Sequence, residues 1–329
     1  MKGFIARNTY RAIDGGVIIV GVALLLMLGG FSATPVTADS DEKCPSQLTF
    51  GVAPIGYDHT RFSPAAKSSD RLFSAQSFVA AVDGLDDDNN DGENEYTITP
   101  SWVSAEIRGH SASSGYASGI DRPSKWYRND IFDVERDYFS ERNRVDDSYR
   151  GVGNTWNRGH MISRTASNRV NAMAGCESHV FANAVPQAAK FNQGIWLALE
   201  NRELAMANYF GAAWVTSGTL FEGDLETIGD SDELPVAIPS HLYKVIVIDT
   251  NQGVVAYSFI FPNVATVSDG SYKSGRCASD KSYDIEQYQV SLTEIERRSG
   301  YRFAVHDSTR SRDLLEMPVD YLDKVGSCF

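Results

Sequence analysis

The sequence predicts an α+β fold, and three observations carry that prediction. Runs at Trp102–Ile107, Ala213–Ser217, Leu242–Asp249 and Val254–Phe261 are β-branched or aromatic and bounded by turn residues, as strands are. Gln193–Ala207 and Leu292–Ser299 read as helices; Ser291 with Glu294 three positions on forms a capping signal, and Gly300 ends the second helix. The two kinds of element are interspersed without a regular βαβ rhythm, which argues against a doubly wound sheet. With 42% hydrophobic and 11% aromatic residues, the 329-residue chain can bury a core. No internal repeat is visible.

Taken from the N-terminus, residues 1–38 read as an address. Lys2, Arg7 and Arg11 precede the apolar run Val17–Leu28, and Val36-Thr37-Ala38 supplies small residues for cleavage after Ala38. The expected product is a secreted or periplasmic chain with no stable membrane partner. The basic region is long for a signal, so an uncleaved anchor holding the protein outside is the alternative. No other stretch approaches membrane-spanning length, which excludes a multi-pass membrane protein. Thirty Lys+Arg against 43 Asp+Glu give a net charge of −13. Cleavage would remove three basic residues and only Asp14, leaving a more acidic chain. That excludes a binder driven by global positive charge, so any polyanion must meet a local basic patch or a metal ion.

Cys44, Cys176, Cys277 and Cys328 make an even count, which in an exported chain suggests disulfides. There is no CxxC, and counting does not choose among the three pairings. Residues 39–80 are Ser/Ala-rich without a period and read as a loosely packed N-terminal extension. With the acidic run 83–95, they form an expected segment 39–95 ahead of a domain at 96–329. The run contains Asp87-x-Asn89-x-Asp91-Gly92, the first half of a calcium loop. The twelfth position is Ile98, so a full EF-hand is unsupported, although Glu93 or Glu95 could close a shorter Ca²⁺ loop. A solvated acidic linker is the other reading.

The chemistry concentrates in Trp156–Glu200. Hydrolysing a phosphodiester needs a base for water, a cation for the developing charge and help for the leaving oxygen. His160 can be the base, because imidazole titrates near neutrality. Arg158 lies two residues before it, on the same face if the segment is a strand. Asn192 offers a hard carbonyl oxygen suited to magnesium. Glu200 follows eight residues later, close to two helical turns, so one helix face could carry both. Each residue also has a plain structural reading. A lone His is more often structural or merely exposed, an Asn before a helix is usually an N-cap, and Glu200 could be a surface charge. The weight lies in the combination.

Asn157-Arg158-Gly159-His160, then Phe191-Asn192-Gln193-Gly194-Ile195-Trp196, then Leu199-Glu200 resemble the DNA/RNA non-specific endonucleases of the ββα-metal class, the Serratia nuclease and endonuclease G family. Pro100–Val103, Val215–Leu220, Ile238-Pro239-Ser240 with Leu242–Ile248, and Leu292–Gly300 resemble further family segments in order, over roughly residues 96–328. The resemblance implies a central, mostly antiparallel sheet flanked by helices, and an enzyme acting on DNA and RNA with little sequence preference. It implies that His160 is the general base and Asn192 the one direct protein ligand of Mg²⁺ (Mn²⁺ as substitute). It also implies that Glu200 holds metal-bound waters, Arg158 contacts phosphate and Asn183 supports the network. Arg128 is the expected further arginine, with Arg122 as the alternative. Cys277–Cys328 is the implied bridge, and Cys44–Cys176 goes with it. The family's usual Asp is Asn157 here, expected to shape the turn by hydrogen bonding. Ten Arg or Lys against eight Asp or Glu between Asp121 and Arg169 supply the local positive charge. Two other readings stand beside this one: a phosphodiesterase on another substrate using the same site, and an inactive exported binding homologue stabilised by calcium.

Overall fold

The computed structural model describes residues 43–83, 99–110, 120–123, 125–127, 145–230, 233–250, 253–265, 283 and 285–303. The expected signal at residues 1–38, the acidic stretch with Asp87, Asn89 and Asp91, Arg128, and both Cys277 and Cys328 lie outside the described residues.

In chain order the elements are β1 (Asp70–Ser74), β2 (Val79–Asp83), β3 (Pro100–Arg108), α1 (Val145–Ser148), β4 (Trp156–His160), α2 (Arg164–Asn168), α3 (Ala172–Glu177), β5 (Ala184–Ala188), α4 (Ala189–Phe191), a π-helical turn (Asn192–Trp196), α5 (Leu197–Phe210), β6 (Ala212–Leu220), β7 (Glu226–Ile228), β8 (Val236–Ile238), β9 (His241–Thr250), β10 (Gly253–Pro262) and α6 (Leu292–Ser299). Six strands form one antiparallel sheet in the order β1-β2-β3-β6-β9-β10, while β4–β5 and β7–β8 are separate ribbons. The expected α+β class and antiparallel sheet are therefore present.

The sheet is buried on both faces, which explains why its central strands read as near-continuous apolar runs rather than as alternation. On β9, Leu242, Ile246 and Ile248 pack with α5 and the Phe191–Trp196 turn. Tyr243, Val245 and Val247 point the other way, into a second core with Trp102, Trp214 and Ile295 of α6. The four expected strands appear as β3, β6, β9 and β10, each extended by one to three residues at its ends. Helix α6 has the expected bounds because its signals are local: Ser291 Oγ accepts from Glu294 N, and Gly300 takes the left-handed conformation at φ 69°.

The reading of residues 39–80 as loosely packed does not hold. β1 and β2 belong to the main sheet, and Phe78 is fully buried. Short strands separated by Ser and Gln show too little periodicity to be read alone. The boundary expected at 95/96 lies outside the described residues. Cys44 is bonded to Cys176 at the end of α3, 132 residues away. Glu177 next to it accepts hydrogen bonds from Gly51 N and from Gln76 N and Nε2, so the early segment is held on both sides of the bridge. For a loop of this length the chain-entropy argument gives about 4–5 kcal/mol. Cys44→Ser is accordingly expected to lower unfolding stability by up to that amount, read as a lower denaturant midpoint than wild type without reductant. Equal midpoints would show that the bridge contributes nothing.

Candidate active site

The site is built on a two-stranded antiparallel ribbon followed by a helix. β4 pairs antiparallel with β5, with Asn157 opposite Gln187, Arg158 opposite Pro186 and His160 opposite Ala184. β5 runs directly into α4, the π turn and α5. Arg158 and His160 thus share a strand face, as their spacing allows. Gly159 between them is required by a close approach: a Cβ there would lie 2.0 Å from the Gln187 side-chain oxygen.

Asn192 opens the π turn. Its backbone is helical and its side chain makes no capping bond, so the N-cap reading fails. Asn192 Nδ2 donates to Asn157 Oδ1 at 3.0 Å, and Gln193 Nε2 donates to the same oxygen at 2.8 Å. Asn157 Nδ2 donates to Gly153 O at 2.9 Å. With its amide nitrogen committed to Asn157, Asn192 keeps its carbonyl oxygen for another partner. Trp196 Nε1 donates to His160 O at 3.1 Å, tying the helix start to β4. The expectation that Asn192 and Glu200 lie on one regular helix is corrected. Gly194 has φ −109° and ψ −108°, which breaks the helix between them. A π-type irregularity re-aims side chains and is frequent at functional sites.

Glu200 is 8% exposed, so it is not a surface charge. Burial pushes its carboxyl up to about 8. Lys244 pulls the other way, Glu203 adds to the rise, and a hydrogen bond from Trp196 and the charge of Arg122 lower it. Lys244 and Glu203 form a buried ion pair, and the Lys244 ammonium lies 4.0 Å from the Trp196 ring centre.

His160 is half-buried, but its Nε2 is shut off from solvent and has no hydrogen-bond partner. Burial, then the charges of His179, Arg122 and Arg164, hold the imidazole well below its usual value. It is therefore neutral at pH 7 and able to accept a proton. Trp126 packs on it with ring centres 4.7 Å apart, and His179 meets it edge-to-face, also at 4.7 Å. Arg158 lies 5.6 Å from the Tyr149 ring.

Of the two further expected site residues, Asn183 is described and Arg128 is not. Asn183 is fully buried, and its amide is used by backbone: Oδ1 accepts from Ile162 N, and Nδ2 donates to Ile162 O and Ser178 O, each at 2.9 Å. It braces the chain just past His160. Arg128 lies outside the described residues. The alternative, Arg122, is exposed, and its charge is felt by His160, His179 and Glu200. Trp126, His179, Lys244 and Glu203 were not found by sequence reading. Trp126 sits four residues past Arg122 and could have been noticed; nothing in the spacing marks the other three.

Among the described residues no group of three or more His, Cys, Asp or Glu converges to hold a metal ion. The donor set suits a hard divalent cation in another way. It offers one neutral amide oxygen, from Asn192, and a buried carboxyl, Glu200, that a nearby cation would draw into its ionised form.

Comparison with known proteins gives the family and the fold. The model of the DNA/RNA non-specific endonuclease family matches residues 92–309. The chain is 29% identical to mitochondrial nuclease EXOG of Danio rerio over 157 residues, 45% of this chain and 42% of that protein. It is 26% identical to mitochondrial endonuclease G of Bos taurus over 174 residues, 50% of this chain and 53% of that one. The chain thus spans about half the length of these relatives. The fold also matches endonuclease G as solved in its complex with the inhibitor EndoGI, with a TM-score of 0.52 at 21% identity, covering 71% of this chain and 85% of that one.

Proposed function

Because this chain belongs to the DNA/RNA non-specific endonuclease family, we propose that it is an exported, Mg²⁺-dependent endonuclease that hydrolyses the phosphodiester bonds of DNA and RNA with little sequence preference. The observation that carries the reading is the clamp between Asn157 and Asn192 beside a neutral His160. It presents an amide oxygen and a proton acceptor from adjoining elements of one ribbon–helix unit.

The family generally uses a divalent metal; here Asn192 Oδ1 would hold it directly and Glu200 would orient its waters. When bound, the cation supplies charge opposite the scissile phosphate and its leaving oxygen. His160 takes the proton from the attacking water. Arg158, with Arg122, neutralises phosphate oxygens, and contacts of that kind read backbone rather than sequence. Export is supported by the Cys44–Cys176 bridge, because disulfides persist in oxidising compartments. Incubating the purified mature chain with plasmid and with RNA, in Mg²⁺ or in EDTA, tests the proposal. Cleavage of both in Mg²⁺ alone is expected. No cleavage under any divalent ion would favour the binding homologue.

Asn157→Asp is expected to change the rate by no more than about one order of magnitude. A carboxylate oxygen still accepts from Asn192 and Gln193, and only the donation to Gly153 O is lost, a bond worth ~1 kcal/mol. A rate increase of several orders in steady-state assays would show that a carboxylate at this position tunes His160.

A further inference from the structure

The stretch that carries Arg122 and Trp126 belongs to no helix or regular strand, so side chains and isolated bridges must hold it against the site. The Trp126 ring centre is 4.7 Å from that of His160, and the charge of Arg122 is felt by His160 and Glu200. Both ends of this stretch are fastened to the same short piece of chain, residues 43–45. Lys43 pairs with Asp121 in an isolated parallel bridge, and Cys44 Sγ lies 3.2 Å from Asp121 O. At the other end, Tyr127 Oη donates to Pro45 O at 2.5 Å.

Residues 43–45 are themselves locked. Cys44 is bonded to Cys176 near the end of α3, a fully buried position. The chain leaving α3 then returns to the same stretch: Tyr127 N donates to His179 O at 2.7 Å, and Phe181 N donates to Tyr127 O at 3.3 Å. Arg164 adds a hydrogen bond to Ile120 O. Tyr127 is buried, in the same core as Cys176, Phe191 and Trp196. Ordering a residue costs backbone entropy at least comparable with what one hydrogen bond returns. A stretch with so few ties therefore depends on each of them.

We propose that residues 43–45, locked by the Cys44–Cys176 bridge, form a strap that positions Arg122 and Trp126 for the nucleic-acid backbone, with Tyr127 as the positioning residue through which the strap acts. The strap lies well before residue 92, where the match to the family model begins, so the matched region does not contain it. It gives the N-terminal segment a part in substrate binding in addition to its part in stability.

The inference rests on the nuclease reading for the place of Arg122 at phosphate, and its test reads binding rather than cleavage so that the two can fail separately. The full chain is titrated in EDTA against a fluorescent DNA duplex of mixed sequence at several salt concentrations. Tyr127→Phe keeps the ring in the core and removes only the bond to Pro45 O. It should weaken binding about tenfold, the low end for losing a hydrogen bond to a charged group. It should also make the slope of log affinity against log salt shallower by ~0.9, the loss of one phosphate contact. Arg122→Gln should do the same, and the double variant should be little worse than either, because both remove one contact. Cys44→Ser should repeat the effect and, like Tyr127→Phe, speed hydrogen exchange at the Tyr127 amide. Wild-type affinity and slope in Tyr127→Phe, or losses that add in full in the double variant, would overturn the proposal and reduce Tyr127 to packing. If Cys44→Ser does not fold, Tyr127→Phe and the double variant decide. A wild-type chain that binds DNA but cuts neither DNA nor RNA in Mg²⁺ would overturn the nuclease reading alone; one that binds no DNA would overturn both.

Discussion

His160→Ala is expected to lower kcat on plasmid DNA by ~10²–10⁴ while leaving the circular dichroism spectrum and melting transition close to wild type. The size follows from the lack of a substitute base among the described neighbours. Glu200 is held up to about 8 by burial, and Glu203 is committed to Lys244. His179 is bound through Nδ1 and buried at Nε2. The pH dependence has a definite sign. Because burial and the surrounding charges lower the His160 imidazole, its base form persists below the usual histidine value of ~6.5. The acid limb of kcat/KM should therefore fall below that pH, and His160→Ala should remove it. A folded variant with the wild-type rate and the same limb would place the base elsewhere.

Asn192→Ala should cost the next most, more than ~10²-fold, and should raise the Mg²⁺ concentration needed for half-maximal rate. The change removes the proposed direct oxygen ligand. It also removes one of the two donors to Asn157 Oδ1, so the start of the π turn loses a tie to β4. Glu200→Gln should be milder, ~10–100-fold, as is usual when a residue orients a metal's surroundings rather than binding the ion. Titrating Mg²⁺ against rate for both variants checks the division of labour. Greater loss in Glu200→Gln, with Asn192→Ala near wild type, would reverse the two roles.

Local patterns made several features legible. Helix α6 was readable to the residue because Ser291 and Gly300 act within one turn of its ends. β9 and β10 were readable because a strand buried on both faces is apolar at almost every position. The candidate site's residue types were legible as a combination, since Arg158, His160, Asn192 and Glu200 sit close along the chain on one ribbon–helix unit. β1 and β2 were not legible, because five-residue strands flanked by polar residues resemble a linker until their partners are known.

The sequence by itself therefore determined the fold class and the closeness along the chain of the candidate base His160 and the candidate amide ligand Asn192, which depend on local periodicity and spacing. Tertiary structure alone decided the state of those groups. Asn183 reads as a supporting residue, and only packing shows how its amide is used, bonded to three backbone groups. Glu200 reads as a surface acid until packing buries it near the Lys244–Glu203 pair. His160 is an ordinary imidazole until Trp126 and His179 close around it. Burial and charge proximity are set by residues distant in sequence, and those two quantities govern protonation in a low-dielectric interior. No spacing along the chain encodes them.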